Sequence, residues 1–237
     1  MSTTPTCVNI PAQGAGQKLP LVFLHGIGGR ASGWGPIQQA CAHAGHGSLA
    51  WDMPGYGDSP LIAPYDFDGL ADALAALMDA QGLPQAVLVG HSLGGMVALQ
   101  MWARHPQRVA GLVLAASSPA FGHGSGDFQQ AFIAQRLAPL EAGRSMADVA
   151  EGLIPTMVAP GFDGPGLAQA RACMGSITPP AYKAALGALV GLGRLLQGGH
   201  FLGDVVFAFW ATYFSCVLVA WWLNLPPREA SVEESQA

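Results

Sequence analysis

Residues 90–95 read GHSLGG and follow the apolar run AVLV at 86–89. A serine at the centre of G-x-S-x-G fits a tight turn in which a strand gives way directly to a helix. Gly90 and Gly94 remove the side chains that would keep strand and helix apart, and Ser92 is left projecting at the carboxyl edge of a sheet. The rest of the chain has to supply that sheet.

The spacing of apolar residues does so. Strands are expected in PLVFLHG (20–26), SLAWD (48–52), QAVLVGHS (85–92) and RVAGLVLAASSP (108–119). Helical patterns lie between them over 34–44, 67–81 and 92–104; in the second, Leu70, Leu74, Leu77 and Met78 share one face. Strands alternating with helices predict an α/β fold with a parallel sheet covered on both faces over residues 1–119, the first 18 residues adding at most an edge strand. From 120 to 190 the helical stretches 128–137, 145–154 and 180–190, separated by Gly and Pro, predict a helical cap. Residues 191–225 read as an apolar helix, and 226–237 as a polar tail. Within the helix, 205–225 is free of formal charge and long enough at about 1.5 Å per residue to cross a hydrocarbon core of about 30 Å. Trp221 and Trp222 near one end suit a membrane interface.

Composition narrows the partners. A net charge of -5 with only 11% charged residues argues against a nucleic-acid surface. Cys7, Cys41, Cys173 and Cys216 have neither metal-ligand spacing nor a C-x-x-C pair, so no metal, cofactor or disulfide framework is expected. The N-terminus has no basic segment followed by an apolar one, hence no signal peptide is read there. These features together predict a cytoplasmic domain with membrane association through 205–225.

Three loops carry a resemblance. His25-Gly26 ends the first apolar strand, DMPGYGDS (52–59) follows the next, and GHSLGG follows the third. Together they resemble the α/β-hydrolase family over about residues 20–190, and within it the 3-oxoadipate enol-lactonases and related ester and C–C-bond hydrolases. The resemblance implies that Ser92 attacks the carbonyl of a small ester or lactone. The backbone N–H groups of Leu93 and Ile27 would hold the oxyanion, each such donor being worth about 3 kcal/mol. His25 and His91 read as structural histidines, and Asp52 and Asp58 as residues that order their loop.

In that family the acid and the histidine follow the nucleophile in chain order. Neither of the usual patterns is found after residue 190. The histidines available are His123, at the start of the cap, and His200; the acids are Asp163 and Asp204, the latter after His200 and so in the wrong order. The expectation is a hydrolase sheet truncated before its late strands, with an incomplete triad and weak or absent activity. A diverged hydrolase with apolar C-terminal helices packed on its sheet is a second account of the same residues. Arg194, His200 and Asp204, spaced R-x5-H-x3-D, also resemble the last motif of PAP2-type membrane phosphatases, although that family's K-x6-R-P and P-S-G-H motifs are absent. The alternatives to an active hydrolase are therefore a catalytically dead, membrane-tethered remnant or fusion product, and a phosphatase fragment.

Overall fold

The computed structural model describes residues 4–14, 18–118, 127–164 and 166–196. The chain divides into one unit of Met1–Leu195 and a second of Leu196–Ala237, which apart from Leu196 lies outside the described residues.

Five strands form the sheet: β1 (Cys7–Ile10), β2 (Leu21–Leu24), β3 (Ser48–Trp51), β4 (Ala86–His91) and β5 (Val109–Ala115), in the order β1-β3-β2-β4-β5. Strands β2 to β5 run parallel to their neighbours, but β1 pairs antiparallel with β3, Cys7 opposite Trp51 and Ile10 opposite Ser48. The sheet is therefore mixed, a correction to the parallel sheet expected from the sequence. A parallel neighbour needs a crossover connection, usually a helix. Among the described residues no helix lies between β1 and β2 in the chain, so no crossover is available and β1 runs antiparallel along the edge against β3.

Alternation along the strands separates two faces. Phe23, Ala50 and the partly buried Val89 pack with Ala31, Trp34 and Cys41 at α1 (Gly35–His43) and the short 3-10 turn before it. Val22, Leu24, Leu49, Trp51 and Leu88 pack on the other face with α2 (Phe67–Ala80) and α3 (Leu93–Arg104). Leu70, Leu74, Leu77 and Met78 of α2 are all buried there, and Asp66 caps that helix by accepting the Gly69 N–H at 2.8 Å. Helices thus leave β2 and β4 in opposite directions. This reversal is a topological switch point at the carboxyl ends of those two strands, the position at which open α/β sheets bind ligands.

Between 120 and 190 the described residues form no strand and hold the helices α4 (Asp127–Glu141), α5 (Met146–Leu153), α6 (Gly166–Gly175) and α7 (Pro179–Leu196), with a 3-10 turn at Ile154–Met157. Ser145 and Asp148 form a reciprocal capping box at the start of α5. Helix α6 carries no clear periodic signal and was not expected; α7 continues past 190 to Leu196. These helices sit on the loops leaving β2 and β3. Gln169 donates to the Ser32 carbonyl at 3.0 Å, Arg30 to the Ser176 hydroxyl at 3.3 Å, and Ala181 lies against Gly55.

No helix among the described residues is long and apolar enough to cross a membrane. The expected span 205–225 lies outside them.

Among the described glycines, Gly94 leaves the least room for a side chain. A Cβ there would fall on the Leu24 carbonyl oxygen and lie 2.8 Å from the His25 carbonyl oxygen, both backbone atoms that cannot swing aside. Gly94→Ala is expected to destabilise the fold by about 3 kcal/mol, at the upper end of overpacking costs, read as a lower urea midpoint in Trp fluorescence.

Candidate active site

Ser92 stands between the end of β4 and the start of α3 with φ 51 and ψ -119. For a residue with a side chain this left-handed backbone costs roughly 1–3 kcal/mol and persists only where neighbours over-determine it. They do so here. The Ser92 N–H donates to the Ala115 carbonyl at 2.9 Å. Its carbonyl accepts from the Ser117 hydroxyl at 2.8 Å and from the Gly95 N–H at 2.9 Å. Gly90 permits the turn: a Cβ there would lie 2.5 Å from the Gly94 carbonyl oxygen.

The Ser92 carbonyl and the Leu93 N–H belong to one peptide. A trans peptide points its C=O and N–H in opposite directions, so pinning the carbonyl aims the N–H. Leu93 opens α3, where N–H groups have no partner inside the helix, and its N–H has no acceptor among the described residues.

The same arrangement recurs at the end of β2. The Gly26 carbonyl accepts from the His25 Nδ1–H at 2.8 Å and from the Gly29 N–H at 2.9 Å. The other end of that peptide is the Ile27 N–H, which likewise has no acceptor among the described residues. Beyond it, the buried Tyr56 hydroxyl donates to the Ile27 carbonyl at 2.9 Å. A Cβ on Gly26 would lie 3.2 Å from the Ser92 Cβ, so only glycine lets this peptide come so close to the serine.

His25 holds the loops together in its neutral form. Its Nε2 accepts the Met53 N–H at 3.0 Å, which leaves the proton on Nδ1 to donate to Gly26. Burial, above all, lowers its pKa to about 4. Asp52 joins the same loops: it accepts the Ala31 N–H at 3.0 Å, pairs with Arg30 at 3.4 Å, and its carbonyl accepts the Ser59 hydroxyl at 2.7 Å.

Of the other residues singled out in the sequence, His91 is exposed beside Gly26, with its pKa lowered by burial of part of the ring. Arg194 lies on α7, and His123, His200 and Asp204 lie outside the described residues. Among the described residues, no histidine or carboxylate is hydrogen-bonded to Ser92, and no group of His, Cys, Asp or Glu can hold a metal. A groove of about 620 Å³ lined by Thr6, Asp58, Pro60 and Gln81 includes neither Ser92 nor its neighbouring donors. Sequence reasoning missed Ser117 and Tyr56. Ser117 had a signal, a Ser-Ser pair after the last apolar strand, but no motif to single it out.

Two outcomes follow from these contacts. The folded pKa of His25 lies below its unfolded value of about 6.5, so the unfolded chain binds the extra proton in the window between them. Stability is expected to be full above pH 6.5 and to fall by about 3 kcal/mol as pH drops to 4; urea midpoints across this range check it, and His25→Asn is expected to flatten the slope. Ser117→Ala removes one donor to the Ser92 carbonyl, at a cost of about 1 kcal/mol, and is expected to slow covalent labelling of Ser92 by several-fold in a stopped time course.

The family described as alpha/beta hydrolase fold matches residues 20–146. A pimeloyl-[acyl-carrier protein] methyl ester esterase of Aeromonas hydrophila is 38% identical over 116 residues, which are 48% of this chain and 44% of that protein. The chain thus spans less than half the length of the curated relatives it matches. A carboxylesterase structure from Nitrososphaera gargenis superposes with a TM-score of 0.67 at 21% identity, covering 83% of this chain and 73% of that one. The enol-lactonase of Burkholderia xenovorans LB400 gives 0.61 at 21% identity, covering 78% and 70%. At such identities the likeness to solved structures speaks for the fold alone.

Proposed function

The chain belongs to the α/β-hydrolase family, and on that footing we propose that it is a serine hydrolase of small carboxylic esters or lactones, with Ser92 as nucleophile. The observation that carries this is the pair of pinned peptides. Both place an acceptor-free N–H, that of Ile27 and that of Leu93, beside one strained serine. Donors fixed before the reaction stabilise a developing oxyanion without reorganising, which is where most of the catalytic effect of such sites resides.

In the proposed reaction the Ser92 Oγ attacks the carbonyl carbon and its proton passes to a base. The tetrahedral oxyanion lies between the Ile27 and Leu93 N–H groups and collapses to an acyl-serine as the alcohol leaves with a proton. Water then releases the acid by the same steps. The base is the open element. His25 is committed to Gly26 and Met53 and titrates near pH 4, so it does not take that role. His123 and His200 remain as the candidate bases, with Asp204 as an acid to orient one of them.

A site with nucleophile and oxyanion donors but no base retains only about 10³–10⁴-fold over water. The acid and histidine patterns usual after the nucleophile are not found in the sequence after residue 190, which favours this weak or inactive form. The expected result is slow Ser92-dependent labelling by a fluorophosphonate, lost in Ser92→Ala, together with p-nitrophenyl acetate turnover below the roughly 1–10³ per second of ordinary enzymes. Equal labelling of wild type and Ser92→Ala overturns the assignment of the nucleophile. Turnover in the ordinary range that falls in His123→Ala or His200→Ala identifies the base.

A further inference from the structure

The two peptides beside Ser92 rest on different supports. Among the described residues the hydrogen bonds to the Ser92 carbonyl, whose peptide carries the Leu93 N–H, come from Ser117, Gly95 and Met96, none of them in the cap. The Ile27 peptide belongs instead to a loop that reads GIGG at 26–29. Three glycines give that loop wide backbone freedom and almost no side chain to pack, so its position is set by what it touches. The core supplies one set of contacts: Tyr56 holds the Ile27 carbonyl at 2.9 Å, and the Asp52 carboxylate accepts the Ala31 N–H at 3.0 Å.

Helix α6 supplies a second set. Met174 is buried, and a Cβ built on Gly28, the residue after Ile27, would lie 3.3 Å from its Cε and 3.6 Å from its Sδ. Gln169 Nε2 donates to the Ser32 carbonyl at 3.0 Å. Ser176, just past the helix, accepts from Arg30 Nη1 at 3.3 Å. Arg30 also spans to the core, with Nε and Nη2 each 3.4 Å from the Asp52 carboxylate. Gln169, Cys173 and Ser176 follow the i, i+4, i+7 spacing of one helical face, and the Cys173 Sγ lies 3.8 Å from the Ser32 Oγ. That face of α6 runs along 28–33, and the polar contacts tie the loop at points on either side of Arg30.

We infer that α6 clamps this loop, with Met174 as the wedge against Gly28 and Gln169 and Ser176 as its polar ties, and thereby positions the Ile27 N–H, whereas the Leu93 N–H is set without the cap. The three are positioning residues, since they act through the loop. That the positioned N–H serves as an oxyanion donor rests on the serine-hydrolase reading; that α6 fixes the loop does not. A shift of the donor by about 1 Å is enough to slow a reaction that depends on it.

Two measurements on the full chain test this. The first is amide hydrogen exchange at Gly29 and Ala31, which donate to the Gly26 carbonyl and to Asp52, with Gly95 as the internal reference. Met174→Ala is expected to speed exchange at Gly29 and Ala31 several-fold and to leave Gly95 unchanged; the volume-conserving Met174→Leu is expected to restore slow exchange. Gln169→Ala and Ser176→Ala, both changes at the surface, are expected to act in the same direction and keep the test open if Met174→Ala does not fold. The second is the rate constant of the covalent step in fluorophosphonate labelling of Ser92 at saturating probe. It is expected to fall about tenfold in Met174→Ala, less than the 10²–10³ lost when a donor is removed outright, and to recover in Met174→Leu. A fraction of unfolded protein lowers the amount labelled rather than this rate constant, which separates positioning from a general loss of structure. Unchanged exchange at Gly29 and Ala31 in all three alanine variants, or equal acceleration at Gly95, overturns the clamp. Faster exchange in the loop with an unchanged covalent step overturns the positioning of the donor. Faster exchange in the loop, with no labelling of Ser92 even in wild type, leaves the clamp standing and removes the hydrolase reading.

Discussion

Helix α3 starts so close to the end of β2 that the Gly94 Cα faces the Leu24 carbonyl with no room for a methyl group. The other features of the site depend on that approach. It sets the open N–H groups of the helix beside the loop leaving β2, and it forces the chain between β4 and α3 through the left-handed conformation of Ser92. Next to it, Ala116 leaves β5 with φ 47, so two residues with side chains hold unfavourable backbone angles at adjacent strand ends. Strain of this kind is kept only by a surrounding structure that leaves no softer solution. Here the parallel ladder β2-β4-β5 and the buried faces of α2 and α3 supply that rigidity.

The two acceptor-free donors, the Ile27 and Leu93 N–H groups, are built by one physical device used twice. At each, a carbonyl is held by one side chain and by backbone N–H groups, Gly29 in one case and Gly95 with Met96 in the other, and the N–H of the same peptide has no acceptor among the described residues. The side chain is His25 in one case and Ser117 in the other. Both are neutral in their roles, because burial keeps His25 uncharged down to about pH 4. The polarity of the site therefore comes from fixed dipoles rather than from titrating groups. Such dipoles act strongly where water is excluded.

The sequence showed the strands and helices up to residue 115 to within a few residues, because their apolar periods are regular and glycines mark the strand ends. The edge strand escaped a firm reading: Cys7–Ile10 is only four residues, and its antiparallel sense depends on β3, a partner more than 35 positions away that no local pattern reveals. Helix α6 was missed since small residues and Gly at both ends leave it no apolar stripe. At the candidate site, the strained turn at Ser92 and the loop carrying Ile27 were legible as loops, since such turns need particular residue types at fixed spacing. Ser117 and Tyr56 were not. Each acts through a tertiary contact whose partner lies elsewhere in the chain, and a lone Ser or Tyr carries no spacing to announce it.

The same geometry limits where a base can come from. A general base must lie within roughly 2.6–3.2 Å of the hydroxyl it deprotonates. One flank of Ser92 is filled by the peptide joining Gly26 to Ile27, and the His91 ring stands on that side as well, 2.9 Å from where a Gly26 Cβ would be. The strand side is closed by Ala115 and Ser117, which are bonded to the Ser92 backbone. In the proposed reaction a histidine would approach Ser92 across the remaining flank, away from the loop leaving β2. The oxyanion would then form on one side of the serine and the proton leave on the other, so that a base arriving there would not compete with Ile27 and Leu93 for the same space.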